Sequence, residues 1–109
     1  MSSSAPESAA LAPIVYFTLN ESTPENRQKL VDSCHKYLSD HPGSLYFSAG
    51  PRVPDLNRPV NEPFDVGLHL IFASRADHDR YQTAERHLAF AAENKPTWQQ
   101  VRVFDAYVS

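Results

Sequence analysis

One cysteine, Cys34, stands in 109 residues, so no intrachain disulfide is possible. Stability must come from an apolar core, and the simplest setting is a reducing, cytoplasmic one. Basic residues are not in surplus: 10 Lys and Arg against 13 Asp and Glu give a net charge of −3. That balance argues against nucleic acid as the main partner, because phosphate binding needs a positive surface. No apolar run approaches the roughly 20 residues of a membrane-spanning helix, so no membrane partner is expected. The start, MSSSAPESAALAP, lacks the basic residues and long apolar stretch of a secretory signal. The five histidines show no ligand spacing with acidic support, so neither a metal site nor a cofactor is expected.

What remains is an ordinary globular composition, 41% hydrophobic and 21% charged, at a length that suits one domain. Residues 1–12 are mainly Ser, Ala, Pro and Glu and offer almost nothing to bury. They are expected to form a disordered tail, with the domain spanning 13–109 and order beginning at Ile14. The run Ile14 to Leu19 is β-rich and apolar at both parities, so this first strand wants cover on both faces. Thr23, Pro24 and Glu25 form a helix start: a cap, a proline suited to the first turn, and an acid at the positive end. Leu30, Val31, Cys34, Tyr37 and Leu38 then repeat at helical spacing. His41-Pro42-Gly43 stops that helix.

Leu45 to Ala49 predicts a second strand ending at Gly50. Pro51 to Pro63 holds four prolines and reads as a long surface loop. Phe64 to Ala73 predicts a third strand, with Val66, Leu68, Leu70 and Phe72 on one face. Ser74, with Asp77 three residues on, starts a second helical zone that runs to about Asn94 and breaks near Thr83. Gln100 to Val108 predicts the last strand. The order β-α-β-β-α-β fits an α+β, ferredoxin-like domain: a four-stranded antiparallel sheet with helices on one face. Helices cover only one side of such a sheet, whereas these strands are apolar on both. A second copy is the simplest cover, so a homodimer with two sheets face to face is expected, burying about 1,600 Å² in total.

The segment YQTAERHLAF, residues 81–90, holds the best site candidates. His87 can serve as a general base, and Tyr81 can donate a hydrogen bond to a developing enolate. Six positions apart, they diverge by roughly 120° on an unbroken helix, and a break near Thr83 brings them together. Equally, His87 can donate to a backbone carbonyl and order the break. Phe17, Leu30, Leu68 and Phe90 are candidates to line a small apolar ligand pocket, and each serves equally well as core. His69 reads as a hydrogen-bonded sheet residue, and His35, His41 and His78 as solvent-facing or terminal. Cys34 reads as a small buried hydrophobe, Glu85-Arg86 as solvated helix charges, and Trp98 as an aromatic sealing an edge.

Several stretches together resemble the stress-responsive α/β barrel (Dabb) family over about residues 13 to 108. They are the IVYFTL strand, the Pro42-Gly43 step into SLYFSAG, the strand and helix FDVGLHLIFASRADHDRY, and the closing VRVFDAYV. The resemblance implies a face-to-face dimeric α/β barrel. It also implies a stress-associated role, and a distant similarity to olivetolic acid cyclase, a plant enzyme that closes a polyketide chain by an aldol-type step. In that comparison the histidine and tyrosine of the helical segment fall on His87 and Tyr81. Three polar family positions are replaced here, by Pro13, by Val66 and by Ala84-Glu85. The two functional expectations are a dimeric Dabb-type protein binding a small apolar ligand without established catalysis, and a lyase, cyclase or isomerase acting on an apolar carbonyl compound.

Overall fold

The computed structural model describes residues 9–60 and 63–109. Strand β1 (Ala10–Leu19) leads into helix α1 (Pro24–Leu38), then β2 (Ser44–Pro51), β3 (Val66–Phe72), α2 (Arg75–Thr83), α3 (Glu85–Asn94), a 3-10 turn (Lys95–Thr97) and β4 (Trp98–Val108). The strands lie in the order β2-β3-β1-β4, every neighbouring pair antiparallel. This is the ferredoxin-like α+β arrangement that the order of elements predicts.

The first strand starts at Ala10, four residues before the expected Ile14. The reason is pairing: Ala10 and Ala12 sit opposite Val108 and Ala106 of β4, and Leu11 and Ala12 are buried. A ladder partner supplies what composition alone does not reveal. The expected tail therefore shrinks; its first eight residues lie outside the described ones, as do residues 61 and 62 of the long loop.

Helix α1 begins as its sequence dictates. Thr23 Oγ1 accepts from the Asn26 amide at 3.1 Å, and Pro24 occupies the first turn. Ser74 caps α2 in the same way, accepting from the Asp77 amide at 3.2 Å, while its hydroxyl donates to the Asp77 carboxylate at 3.0 Å. The helical zone breaks at Ala84, whose extended backbone (φ −66°, ψ 144°) separates α2 from α3. Asp65 closes the far end of the sheet, accepting from the Leu19 amide at 2.7 Å and from the Ser22 hydroxyl.

The core lies between sheet and helices. Phe17, Leu68, Leu70 and Phe72 rise from the sheet to meet Leu30, Cys34, Leu38, Tyr81 and Phe90. The other parity faces away from the helices. Register places Ile14 opposite Phe104, Ile14 also opposite His69, and Tyr46 opposite Ile71 on that second face. Tyr16 packs there against Phe64 at 4.7 Å and Phe104 at 6.2 Å between ring centroids. Phe104 keeps 54% of its surface exposed and Tyr46 50%. No helix among the described residues is long and apolar enough to cross a membrane.

Gly43 turns the chain from α1 into β2. Its φ of +80° is left-handed, and a Cβ there would lie 2.2 Å from the Asp77 side chain, inside the α2 cap. Its carbonyl accepts from the Ala73 amide at 2.8 Å. Gly43→Ala is expected to lower unfolding free energy by about 1–3 kcal/mol, from strain plus displacement of the cap. Chemical denaturation of the two proteins checks this; equal midpoints would contradict it.

Candidate functional site: a cavity between sheet and helices

The break at Ala84 lets α3 turn back over the sheet, and a cavity of about 440 Å³ opens beneath it. Its floor is β1 and β4, with Phe17 and Leu68 from the core. Its roof is α2 and α3, with Phe90 and Ala91. Trp98 closes one side, its ring 5.0 Å from Phe17 and 5.8 Å from Phe90 between centroids. The polar groups lining it are His78, Tyr81, Gln82 and His87 on the helix side and Asp105 on the strand side. Among the described residues no cluster of His, Cys, Asp and Glu could hold a metal ion.

The break brings Tyr81 and His87 together, with ring centroids 4.7 Å apart and planes at 67°. On the far side of Tyr81 stands His41, edge-on at 4.9 Å. His41 is buried, and its Nε2–H donates to the Tyr37 carbonyl at 2.7 Å. Sequence position suggested a terminal residue; burial follows because the chain reverses at Gly43 and tucks the ring under α2. His78 likewise lies on the cavity wall and meets the ring of Phe72 edge-on, at 6.0 Å. Neither was legible as a site residue. The signal lay in spacing: His41 follows Tyr37 by four, which puts a ring nitrogen beside an unpaired helix-end carbonyl.

Electrostatics assign different capacities to the pair. Burial, and behind it the charge of Cys34, raises the Tyr81 hydroxyl well above its ordinary range, so Tyr81 stays a donor. Burial pushes the pKa of His87 down, and the His41 and His78 charges add to that shift; the Gln82 carbonyl partly opposes it. His87 Nδ1 is buried and completes no hydrogen bond. The ring borders the cavity and lies beside the Gln82 carbonyl. A neutral imidazole beside a protonated phenol has the makings of a base and a donor.

Arg86 positions this group. Its guanidinium donates to the Ser39 and Lys36 carbonyls at 2.9 and 2.7 Å, tying the first turn of α3 to the last turn of α1. This corrects the reading of Arg86 as a merely solvated charge: a planar fork matches two unpaired carbonyls at the negative end of a helix. Of the expected lining residues, Phe17, Leu68 and Phe90 border the cavity. Leu30 does not; it lies on the other side of the core, at a groove between α1 and the 3-10 turn. Trp98 both seals an edge and walls the cavity. His69 lies exposed on the second face, edge-on to Tyr16 at 6.1 Å, and its side chain makes no hydrogen bond with the described residues. Cys34 is fully buried and burial pushes its thiol up to about 12, which keeps it inert.

A ferredoxin-like domain with a semi-enclosed cavity between sheet and helices is the architecture of the α/β barrel proteins. The chain matches the family model "Stress responsive A/B Barrel Domain" over residues 11–108, and it belongs to that family, Dabb. No curated protein matches it significantly. Among solved structures it is similar to a Dabb family protein with a ferredoxin-like fold from Mesorhizobium loti, at 21% identity and a TM-score of 0.74, covering 93% of this chain and 98% of that one. It is also similar to a dimeric ferredoxin-like protein of unknown function from Thermobifida fusca (16% identity, TM-score 0.79, 94% and 93% covered). A third is the hydroxynitrile lyase of Passiflora edulis (17% identity, TM-score 0.73, 94% and 95% covered).

A histidine whose folded pKa is lowered costs stability as pH falls. Below about 6.5 the unfolded chain binds a proton that folded His87 resists, so the loss begins there and levels off below the folded value. The melting temperature should therefore drop more steeply between pH 7.5 and 5 in the native chain than in His87→Gln. Parallel curves from calorimetry would show that His87 is not so perturbed.

Proposed function

We propose that this Dabb-family chain is a homodimer that holds a small apolar ligand, one carrying a carbonyl, in the cavity under α3. The cavity reaching His87 carries this reading. Its walls are apolar at Phe17, Leu68, Phe90 and Trp98, and the polar groups that can orient a ligand are few, as small-molecule sites require. In this reading the ligand's apolar body lies along the sheet and its oxygen accepts from the Tyr81 hydroxyl.

The dimer reading rests on the second face of the sheet. Ile14, Tyr16, Ile71 and the half-exposed Phe104 make an apolar surface with no helix over it, and an isologous copy would cover it. The Thermobifida fusca protein of the same fold is described as dimeric, which supports this. Light scattering at micromolar concentration should give twice the chain mass of 12.3 kDa, and Phe104→Asp, which places a charge on that face, should give a monomer. A native chain that scatters as a monomer would overturn the dimer.

A second reading, a lyase, cyclase or isomerase acting on such a carbonyl compound, is favoured by one observation, the apposition of Tyr81 and His87. His87 would take a proton from the carbon beside the carbonyl and Tyr81 would stabilise the enolate oxygen. The Passiflora edulis lyase shows that this fold can host a lyase. Binding is tested with the neutral fluorophore N-phenyl-1-naphthylamine. Its emission should rise on addition of the protein and should not rise with Ala91→Trp, which fills the cavity. Catalysis is tested by deuterium exchange into 2-decanone followed by NMR. His87→Ala should slow any exchange by at least about 10²-fold. Binding without exchange above buffer would leave the ligand-binding reading and remove the catalytic one.

A further inference from the structure

The cavity carries an asymmetry of charge. Among the described residues its wall includes one carboxylate, Asp105 of β4, and no lysine or arginine. Asp105 sits opposite Pro13 in the β1–β4 ladder and lines the cavity on its strand side. The Asp105 carboxylate makes no hydrogen bond or ion pair among the described residues, whereas Asp65, Asp77 and Asp79 each have partners. Arg86 is engaged with the carbonyls of α1, and Arg75 with Asp79 and Tyr107. A ligand in this cavity therefore meets an uncompensated negative charge on the strand side and neutral donors and imidazoles on the helix side.

We infer that the cavity selects uncharged ligands over anionic ones of the same skeleton, and that Asp105 is the residue that sets this selection. This rests on the ligand-binding reading and narrows its class: ketones, aldehydes, amides and hydroxylated relatives enter, while fatty acids, keto acids and phosphate esters are repelled. The physical reason is Coulomb repulsion. Asp105 is exposed, so water screens it in part, and the apolar side chains that bound the cavity reduce that screening for a ligand held inside. A ligand anion also loses hydration on entry without finding a cation to replace it. A hydroxyl or amide N–H on the ligand, by contrast, can donate to the Asp105 carboxylate.

The test uses two ten-carbon probes, 2-decanone and decanoate, each displacing N-phenyl-1-naphthylamine from the full chain at pH 7.5. With the native chain, decanoate is expected to compete at least about tenfold more weakly than 2-decanone. In Asp105→Asn the ratio should fall to about threefold or less, and in Asp105→Glu, which keeps the charge, it should stay near the native value. Equal competition by the two probes in the native chain, or a ratio that Asp105→Asn leaves unchanged, would overturn the role of Asp105 while the cavity remains a ligand site. If the fluorophore fails to bind at all, or binds Ala91→Trp as well as the native chain, the ligand-binding reading fails and this inference with it. Asp105 is exposed on an edge strand, so both variants should fold, and matching circular dichroism melts confirm that the ratios refer to folded protein.

Discussion

The site depends on a tie between two helix ends. Ala84 adopts an extended backbone between α2 and α3, and Arg86, two residues later, forks onto the last carbonyls of α1. Without such a tie, a nine-residue and a ten-residue helix would have little to fix their angle, since short helices are marginal by themselves. With it, α3 folds back over β1 and β4, the space beneath it stays open, and His87 meets Tyr81. The tie also explains why the helix starts where it does: no side chain caps α3, so the fork to α1 takes over part of the work of anchoring its first turn.

A second constraint follows from the sheet. Four strands offer two apolar faces, and the helices can cover only one. The helix-covered face makes the core and the cavity. The other face makes a surface rich in Phe, Tyr and Ile that a monomer would leave in water. The two are not independent. Edge strand β4 contributes Phe104 to the outer face and Val103 and Asp105 to the cavity side, because neighbouring residues on a strand point opposite ways. In the proposed dimer, covering the outer face would stiffen the strand that carries one wall of the cavity. The proposed assembly and the proposed ligand selection thus draw on alternate residues of the same eleven-residue strand.

Much of this was readable in the chain. The caps at Thr23 and Ser74, the stop at Gly43 and the break near Thr83 are local signals, and the helices formed where they pointed. Parity along β1 and β3 gave the core face correctly. What stayed hidden was non-local. Ala10 to Ala12 look unstructured until Val108 and Ala106 pair with them. His41 looks terminal until the turn at Gly43 buries it against Tyr81. Arg86 looks solvated until the end of α1 arrives beside it. Leu30 and Phe17 share one core, but only tertiary placement tells which of them borders a cavity. Helical and strand periods reveal which way a residue faces; they carry no information on whether the space it faces is filled.

The polar content of the cavity then takes on a sharper meaning. Where the family resemblance places further histidines, this chain has Pro13 and Val66, so the strand side of the cavity has no imidazole. The helix side retains His87, Tyr81 and His78, with His41 behind them. His87 lies in the first turn of α3, where burial and then the charges of His41 and His78 disfavour its protonated form. Donors and a neutral base are therefore gathered on one wall and a single carboxylate stands on the other. In the proposed reading, a ligand that crosses this space presents an acceptor to the helices and either nothing charged or a donor to the strand. That polarity follows from where the helices break and from which face of β4 carries Asp105, and under that reading it limits what the site can hold before any chemistry begins.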